Sequence, residues 1–433
     1  MLKEKVYILD YEMVSPIAVG VNRLMDSLKS NFSADRPITQ FDTKGLPFKN
    51  AAEVQEDLSH LYKNESELIK KTIPTERMLE LLVSAYNLAE KRLKPLMDLF
   101  EQNKTGVIIG VGADVTPFEL FEDKIIDYLN HDGNAIVELF TEINTNHKKV
   151  NAVVNPYDLY AIYLAQKFKA GAFQKSVLTA CTSSTQAIAF GYDSVKTGEA
   201  EVVIAGGTDS IVNTLATISF GKLGVISETS NQSKCRPFDV NRNGTLSAEC
   251  AGFVVLASES FVKKHQLKPK AQILGYGNTL DAYKITAPNP DGKSMTKAIK
   301  DAVSNSNIKP SQIDYINAHG TATKHNDELE LNAIKNALGD AADKIPISST
   351  KSRHGHAIGA AGIQEVCLII EAMKHSFIPS NLNLKTPCDA QMNLVTENKT
   401  RPINIALTNN FAFGGVNTCL VIKNEMNNGI KTK

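Results

Sequence analysis

The sequence predicts an α/β protein built in two halves. Three observations carry that prediction. Short apolar runs rich in Val and Ile alternate with longer helical patterns, the signature of α/β layering. The alternation runs through two successive cycles. The 433 residues, 42% of them hydrophobic, suffice for a large core or for two lobes sharing one.

The first cycle holds KVYILD (Lys5–Asp10), TGVIIGVG (Thr105–Gly112), EVVIAGG (Glu201–Gly207) and AGFVVLAS (Ala251–Ser258) as strands, expected to pair largely in parallel. Residues 51–104, helix-rich and charged, suggest an insertion or cap on that half. The second cycle opens with AQILGYGNT (Ala271–Thr279). It continues through a helix over Ser294–Ser304, the strand IDYINAHG (Ile313–Gly320) and a helix over Glu328–Leu338. KIPISSTK (Lys344–Lys351) then precedes a helix over Gly359–His375, and two strands around a glycine-rich turn close the cycle (Ile403–Asn424). The expected boundary lies near residue 265, giving halves 1–265 and 266–425 and a tail 426–433. Similarity between the halves is too weak to call a repeat.

Lys+Arg and Asp+Glu balance at 47 each, so no net field draws nucleic acid or an acidic membrane. No apolar run is long enough to span a bilayer. The start, MLKEKVYILDYEMVSP, lacks the apolar stretch and cleavage site of a signal peptide, and a cytoplasmic location is expected. The cysteines at 181, 235, 250, 367, 388 and 419 show no zinc-type spacing. Five of them, Cys419 included, are expected to be small buried hydrophobes.

The sixth is Cys181, in VLTACTSSTQAIAFG (Val177–Gly191). It stands at a strand-to-helix corner, where a helix start favours a thiolate and Gly198 supplies the stop. A buried cysteine among alanines is equally common, so this stretch alone leaves both readings open. In INAHGTATKHNDELE (Ile316–Glu330), His319 ends a strand where parallel sheets place ligands, and Thr321 and Thr323 offer hydroxyls. SSTKSRHGHAIGAAG (Ser348–Gly362) sets Lys351 and His356 five apart, before small residues that let a helix pack tightly. An exposed lysine on a packing motif would fit as well, and His354 is taken as a solvated loop residue. In NNFAFGGVN (Asn409–Asn417), Phe411 and Phe413 precede Gly414 and Gly415, which a simple hairpin would explain.

Together and in this order, these stretches resemble the β-ketoacyl-[acyl-carrier-protein] synthases of the synthase I/II class, in the condensing-enzyme (thiolase-like) superfamily. The resemblance covers nearly the whole chain, including CRPFDVNRNGTLSAECAGFVVL (Cys235–Leu256) and APNPDG (Ala287–Gly292). It implies a thiolase-like fold of two pseudo-duplicated α/β halves in α-β-α-β-α layers. It implies Cys181 as the acyl-accepting nucleophile, with His319 and His356 as the other catalytic groups. Lys351 is expected to pair with Glu330. The amides of Cys181 and Phe411 are implied as an oxyanion hole, with Phe411 as gatekeeper on a loop hinged at Gly414 and Gly415. Thr321 and Thr323 match positions that touch the pantetheine arm.

The chemistry agrees with these roles. A Claisen condensation needs a thioester acceptor, a carbanion equivalent and donors for an oxyanion. Two neutral imidazoles each offer an N–H without a permanent charge. No metal or redox cofactor is expected, since the substrates ride on the phosphopantetheine of an acyl carrier protein. A homodimer is expected, or a heterodimer with a second ketosynthase-like chain. His356 stands where chain-initiating relatives have asparagine. Departures include ILDYEMVSP without the usual glycines, GAFQKSVLTAC without Gly-Pro, Ala412 for glycine and Val416, and they suggest a specialised or accessory synthase. The rival readings are a catalytically silent subunit of a heterodimer and a non-decarboxylating acyltransferase.

Overall fold

The computed structural model describes residues 4–73, 76–112, 157–228 and 235–426. The first half contributes strands β1 (Val6–Ser15), β2 (Thr105–Val111), β3 (Phe173–Val177), β4 (Val202–Ser210) and β5 (Glu249–Ser258). The second contributes β6 (Ala271–Leu280), β7 (Tyr315–Asn317), β8 (Ile347–Ser348), β9 (Ile405–Phe411) and β10 (Val416–Asn424).

The spatial order is β3-β2-β4-β5-β1 in one half and β8-β7-β9-β10-β6 in the other. The second list is the first with five added to every number, so the strand orders coincide. The directions coincide too. In each half the first three neighbours are parallel, and the last two pairings are antiparallel. Both halves therefore carry mixed sheets where largely parallel ones were expected. The reason is burial: β5 is covered along its whole length, and a strand buried on both faces is continuously apolar whichever way its neighbours run. The halves join where Val6–Ile8 of β1 pairs antiparallel with Ala271–Ile273 of β6.

Among the described residues, five helices of 13 residues or more build the layers. Helix α1 (Arg77–Met97) lies over β1, β4 and β5. Its buried stripe Leu79, Leu82, Tyr86, Ala89 and Leu93 follows the three-and-four spacing of one helical face. Within the stretch 51–104, expected as a cap, this helix is thus a full layer of the core. Helices α2 (Ser183–Thr197) and α5 (Ala361–His375) pack on each other and against strands of both halves of the sheet. That position explains why α5 is buried from Ala361 to Met373 on every side. Their approach is close: a Cβ on Gly362 would lie 1.9 Å from Thr185 Oγ1. Helices α3 (Lys293–Asn305) and α4 (Lys324–Leu338) cover the outer face of the second sheet. No helix among the described residues is long and apolar enough to cross a membrane.

Candidate active site

Cys181 sits in a tight turn between β3 and α2, not inside the helix. Ala180 takes φ 50°, a left-handed backbone that turns the chain sharply, and α2 ends at Gly198 with φ 81°. Thr179 N–H and Ala180 C=O both bond the Ser183 hydroxyl, which ties the turn to the first residue of the helix.

The histidines arrive from the other half. His319 follows β7, and Glu330 on α4 fixes it from behind. The Glu330 carboxylate accepts the backbone N–H groups of His319 and Gly320, both at 2.8 Å, and the side chain of Asn409 at 3.1 Å. His356 lies beyond a short helical turn, Lys351–His354, and its own N–H donates to Leu246 C=O at 2.8 Å. His356 Nε2 stands 3.1 Å from Cys181 Sγ. The two imidazoles meet edge to face, ring centres 5.3 Å apart. One ring nitrogen of each and the sulfur lie within 4.8 Å of one another, all buried. A thiophilic metal could use such a set, but the nearby Lys351 ammonium opposes a cation there.

These groups line a cavity of about 390 Å³. Thr321 and Thr323 line it too, their hydroxyls bonded to each other at 2.9 Å, and Thr323 also caps α4 through Asn326 N–H. Ile211, Phe220, Val225 and Met295 form an apolar wall.

Burial sets the protonation states. It pushes the Cys181 thiol up to about 12, against the opposing pull of the Lys351 ammonium and backbone N–H groups. The helix start therefore does not leave a resting thiolate. Burial, with Lys351 second, holds His319 and His356 well below the usual imidazole range, so both rings are neutral.

Three expectations need correction. The buried ion-pair partner of Lys351 is Glu365 on α5, not Glu330. Glu330 is committed to the His319–Gly320 backbone instead, and its pKa is raised by burial. The amide aimed at the Cys181 sulfur belongs to Phe413, not Phe411. Phe411 is the last residue of β9, opposite Asn417, and its buried ring packs 6.0 Å from His319. Phe413 opens the turn through Gly414 (φ 81°) and Gly415 (φ 79°) and carries the freer ring. His354, expected in solvent, is fully buried, with Nδ1 on Gly355 C=O and Nε2 on the Thr350 hydroxyl. Cys419 is buried in β10, as expected.

The model of the beta-ketoacyl synthase N-terminal domain matches residues 3–261, and that of the C-terminal domain matches residues 270–385. The 3-oxoacyl-[acyl-carrier-protein] synthase 2 of Rhizobium meliloti is 31% identical, covering 97% of this chain and 98% of its own. The synthase of that name from Coxiella burnetii is 29% identical over 98% of this chain and 99% of its own. A chain of the ishigamide ketosynthase/chain length factor superimposes with TM-score 0.78 at 25% identity, covering 98% of this chain and 99% of that one. With both domains matched and such relatives aligned end to end, the chain belongs to the β-ketoacyl synthase family.

Proposed function

We propose that the protein is a decarboxylating β-ketoacyl-[acyl-carrier-protein] synthase of type II fatty-acid or polyketide synthesis. One observation carries the reading: the Cys181 sulfur lies 3.1 Å from His356 Nε2 at a cavity that His319 also lines. In the first half-reaction the Cys181 sulfur attacks the thioester of an acyl carrier. The C–S bond to the pantetheine arm breaks, and the thiol proton ends on the departing arm. The N–H groups of Cys181 and Phe413 serve the oxyanion of that step.

In the second half-reaction a malonyl carrier takes the vacated space. Loss of CO₂ leaves an enolate, whose oxygen accepts from the Nε2–H groups of His319 and His356. The enolate carbon attacks the acyl-Cys181 carbonyl, the new C–C bond forms, and Cys181 leaves to recover a proton. Neutral imidazoles suit this work, because they donate without holding charge in the resting site. The reaction needs no metal or redox cofactor. Thr321 and Thr323, on the cavity wall, serve the pantetheine arm.

The partners in this reading are an acyl carrier protein and a second ketosynthase-like chain, identical or not. The second is supported by the sheet edge: among the described residues β3 ends the strand order, and Leu178 beside it is 45% exposed. The test is mass spectrometry after incubation with an acyl carrier thioester, then with malonyl carrier. The expected result is an acyl adduct on Cys181 followed by a β-ketoacyl product. Absence of any Cys181 adduct would replace this reading with the silent-subunit one.

A further inference from the structure

A chain of buried groups behind Lys351 has no part in the steps above. Glu365 receives Lys351 on Oε1 and Asn410 Nδ2 on Oε2, the latter at 2.8 Å. Asn410 Oδ1 in turn accepts from the hydroxyl of Thr185. Lys351, Glu365, Asn410 and Thr185 are all fully buried. The direction of the chain follows from chemistry. An ionised carboxylate only accepts, so the Asn410 amide must turn its NH₂ to Glu365 and its oxygen to Thr185. Thr185 is then the donor, and every hydrogen in the series points towards the one carboxylate.

The series also joins the elements that hold the reacting groups. Thr185 lies four residues after Cys181, in the first turn of α2. Asn410 precedes Phe411 on β9, which leads to the Phe413 turn. Lys351 shares its loop with His356. Thr185 has little freedom to turn elsewhere, because Gly362 of α5 lies where even a Cβ would strike its hydroxyl oxygen, at 1.9 Å.

We propose that Thr185 and Asn410 are positioning residues for the condensation, holding Glu365 so that Lys351 stays fixed against Cys181 and His356. They touch no substrate and act through the ion pair. A small displacement of that loop would change the Cys181–His356 contact, on which the proposed reaction rests. It would also weaken the pull of the lysine on the thiol, which works against the burial that raises the thiol pKa.

The test uses Thr185→Val, which keeps volume and removes the hydroxyl, with Thr185→Ser as rescue and Thr185→Ala in case valine prevents folding. Three readouts are compared on folded protein: kcat and KM for malonyl-carrier decarboxylation, the rate of Cys181 acylation, and Cys181 alkylation by iodoacetamide, located by peptide mass. Thr185→Val, or Thr185→Ala in its place, should lower kcat and both Cys181 rates by roughly tenfold, the scale of one hydrogen bond in a charged network. KM should stay within about twofold, and Thr185→Ser should return near wild type. Asn410→Leu should match Thr185→Val, and the double variant should be no worse than Asn410→Leu alone. A hydroxyl-less variant with wild-type kcat and alkylation rate would overturn the proposal, as would a Thr185→Ser variant as slow as Thr185→Val. Alkylation needs no carrier substrate, so it decides the positioning role even if the wild-type protein proves inactive in condensation.

Discussion

Lys351 faces two buried carboxylates, and a double-mutant cycle separates the one it pairs with from the one it merely neighbours. The side chains of Lys351 and Glu365 are both 0% exposed. Replacing Lys351 by Met leaves Glu365 with one remaining donor, Asn410 Nδ2 at 2.8 Å. Breaking a buried pair in this way costs about 3–5 kcal/mol. The lower end is expected, because a stranded carboxyl can take up a proton. Burial already raises the Glu365 pKa with Lys351 present, and loss of the lysine raises it further. The sign follows: a carboxyl whose folded pKa exceeds its unfolded one destabilises above the unfolded value, here near 4.5. The penalty should therefore be absent below about 4.5 and grow as pH rises above it, until pH passes the raised folded pKa. Glu330 behaves differently. It keeps the N–H groups of His319 and Gly320 and the Asn409 amide whether or not Lys351 is present. Urea denaturation of Lys351→Met, Glu365→Gln and the double variant should give a coupling of about 1.5–3 kcal/mol. The same cycle with Glu330→Gln should be additive within about 0.5 kcal/mol. Additivity at Glu365, or strong coupling at Glu330, would refute the assignment.

Changing either His319 or His356 to Ala should slow malonyl-carrier decarboxylation by roughly a hundredfold or more while Cys181 still accepts an acyl chain; CO₂ release at the wild-type rate from both variants removes the donor pair. Because both imidazoles are held well below their usual range, decarboxylation should stay level as pH falls from about 8 to about 6. A loss centred on the ordinary histidine value would contradict the neutral-donor geometry. With the Cys181 thiol pushed up to about 12, its alkylation should still climb above pH 9, and a plateau there would mean a more acidic thiol. Gly414 takes φ 81° in open space, so Gly414→Val meets no clash and still costs about 1–3 kcal/mol of backbone strain; acylation timed by mass spectrometry should slow for short and long chains alike. Phe411→Ala should behave as a core truncation, losing about 3–5 kcal/mol in denaturation, while Phe413→Ala should shift the long-to-short ratio of acyl donors; the reverse pattern would return the gate to Phe411.

The positions of most strands were legible because apolar runs of fitting length are bounded by glycines and charges; β3, reading Phe-Gln-Lys-Ser-Val, is largely polar and was expected only as the lead-in to the Cys181 corner. The relative direction of the strands was not legible, since a strand covered on both faces carries no alternation to reveal its neighbours. Helix α1 was misjudged for a related reason. Glu80, Glu90, Lys91, Arg92 and Lys94 catch the eye and suggest a surface element. The stripe at 79, 82, 86, 89 and 93 was in the same residues, and its apolar face decides where the helix packs.

In the site, Cys181, His319 and His356 stood out through the resemblance of their motifs taken together, since local features alone left each open, and the structure brings the three side chains together. Glu365 did not stand out, since it sits inside AGIQEVCLII, a run that reads as core. The signal was nonetheless present: a carboxylate in a helix apolar on every side must find a cation or donors, and Lys351 was already expected to pair with a carboxylate. The paired amides of NNF carry the same kind of information. Consecutive strand residues point to opposite faces. Asn409 reaches Glu330 on one side of β9 and Asn410 reaches Glu365 on the other. Two adjacent amides beside two buried acids therefore divide the labour: one carboxylate holds the backbone of His319, and the other holds the lysine that acts on all three reacting side chains. Exchanging Asn409 or Asn410 for a same-sized apolar residue should accordingly injure different half-sites, although the two are neighbours in the chain.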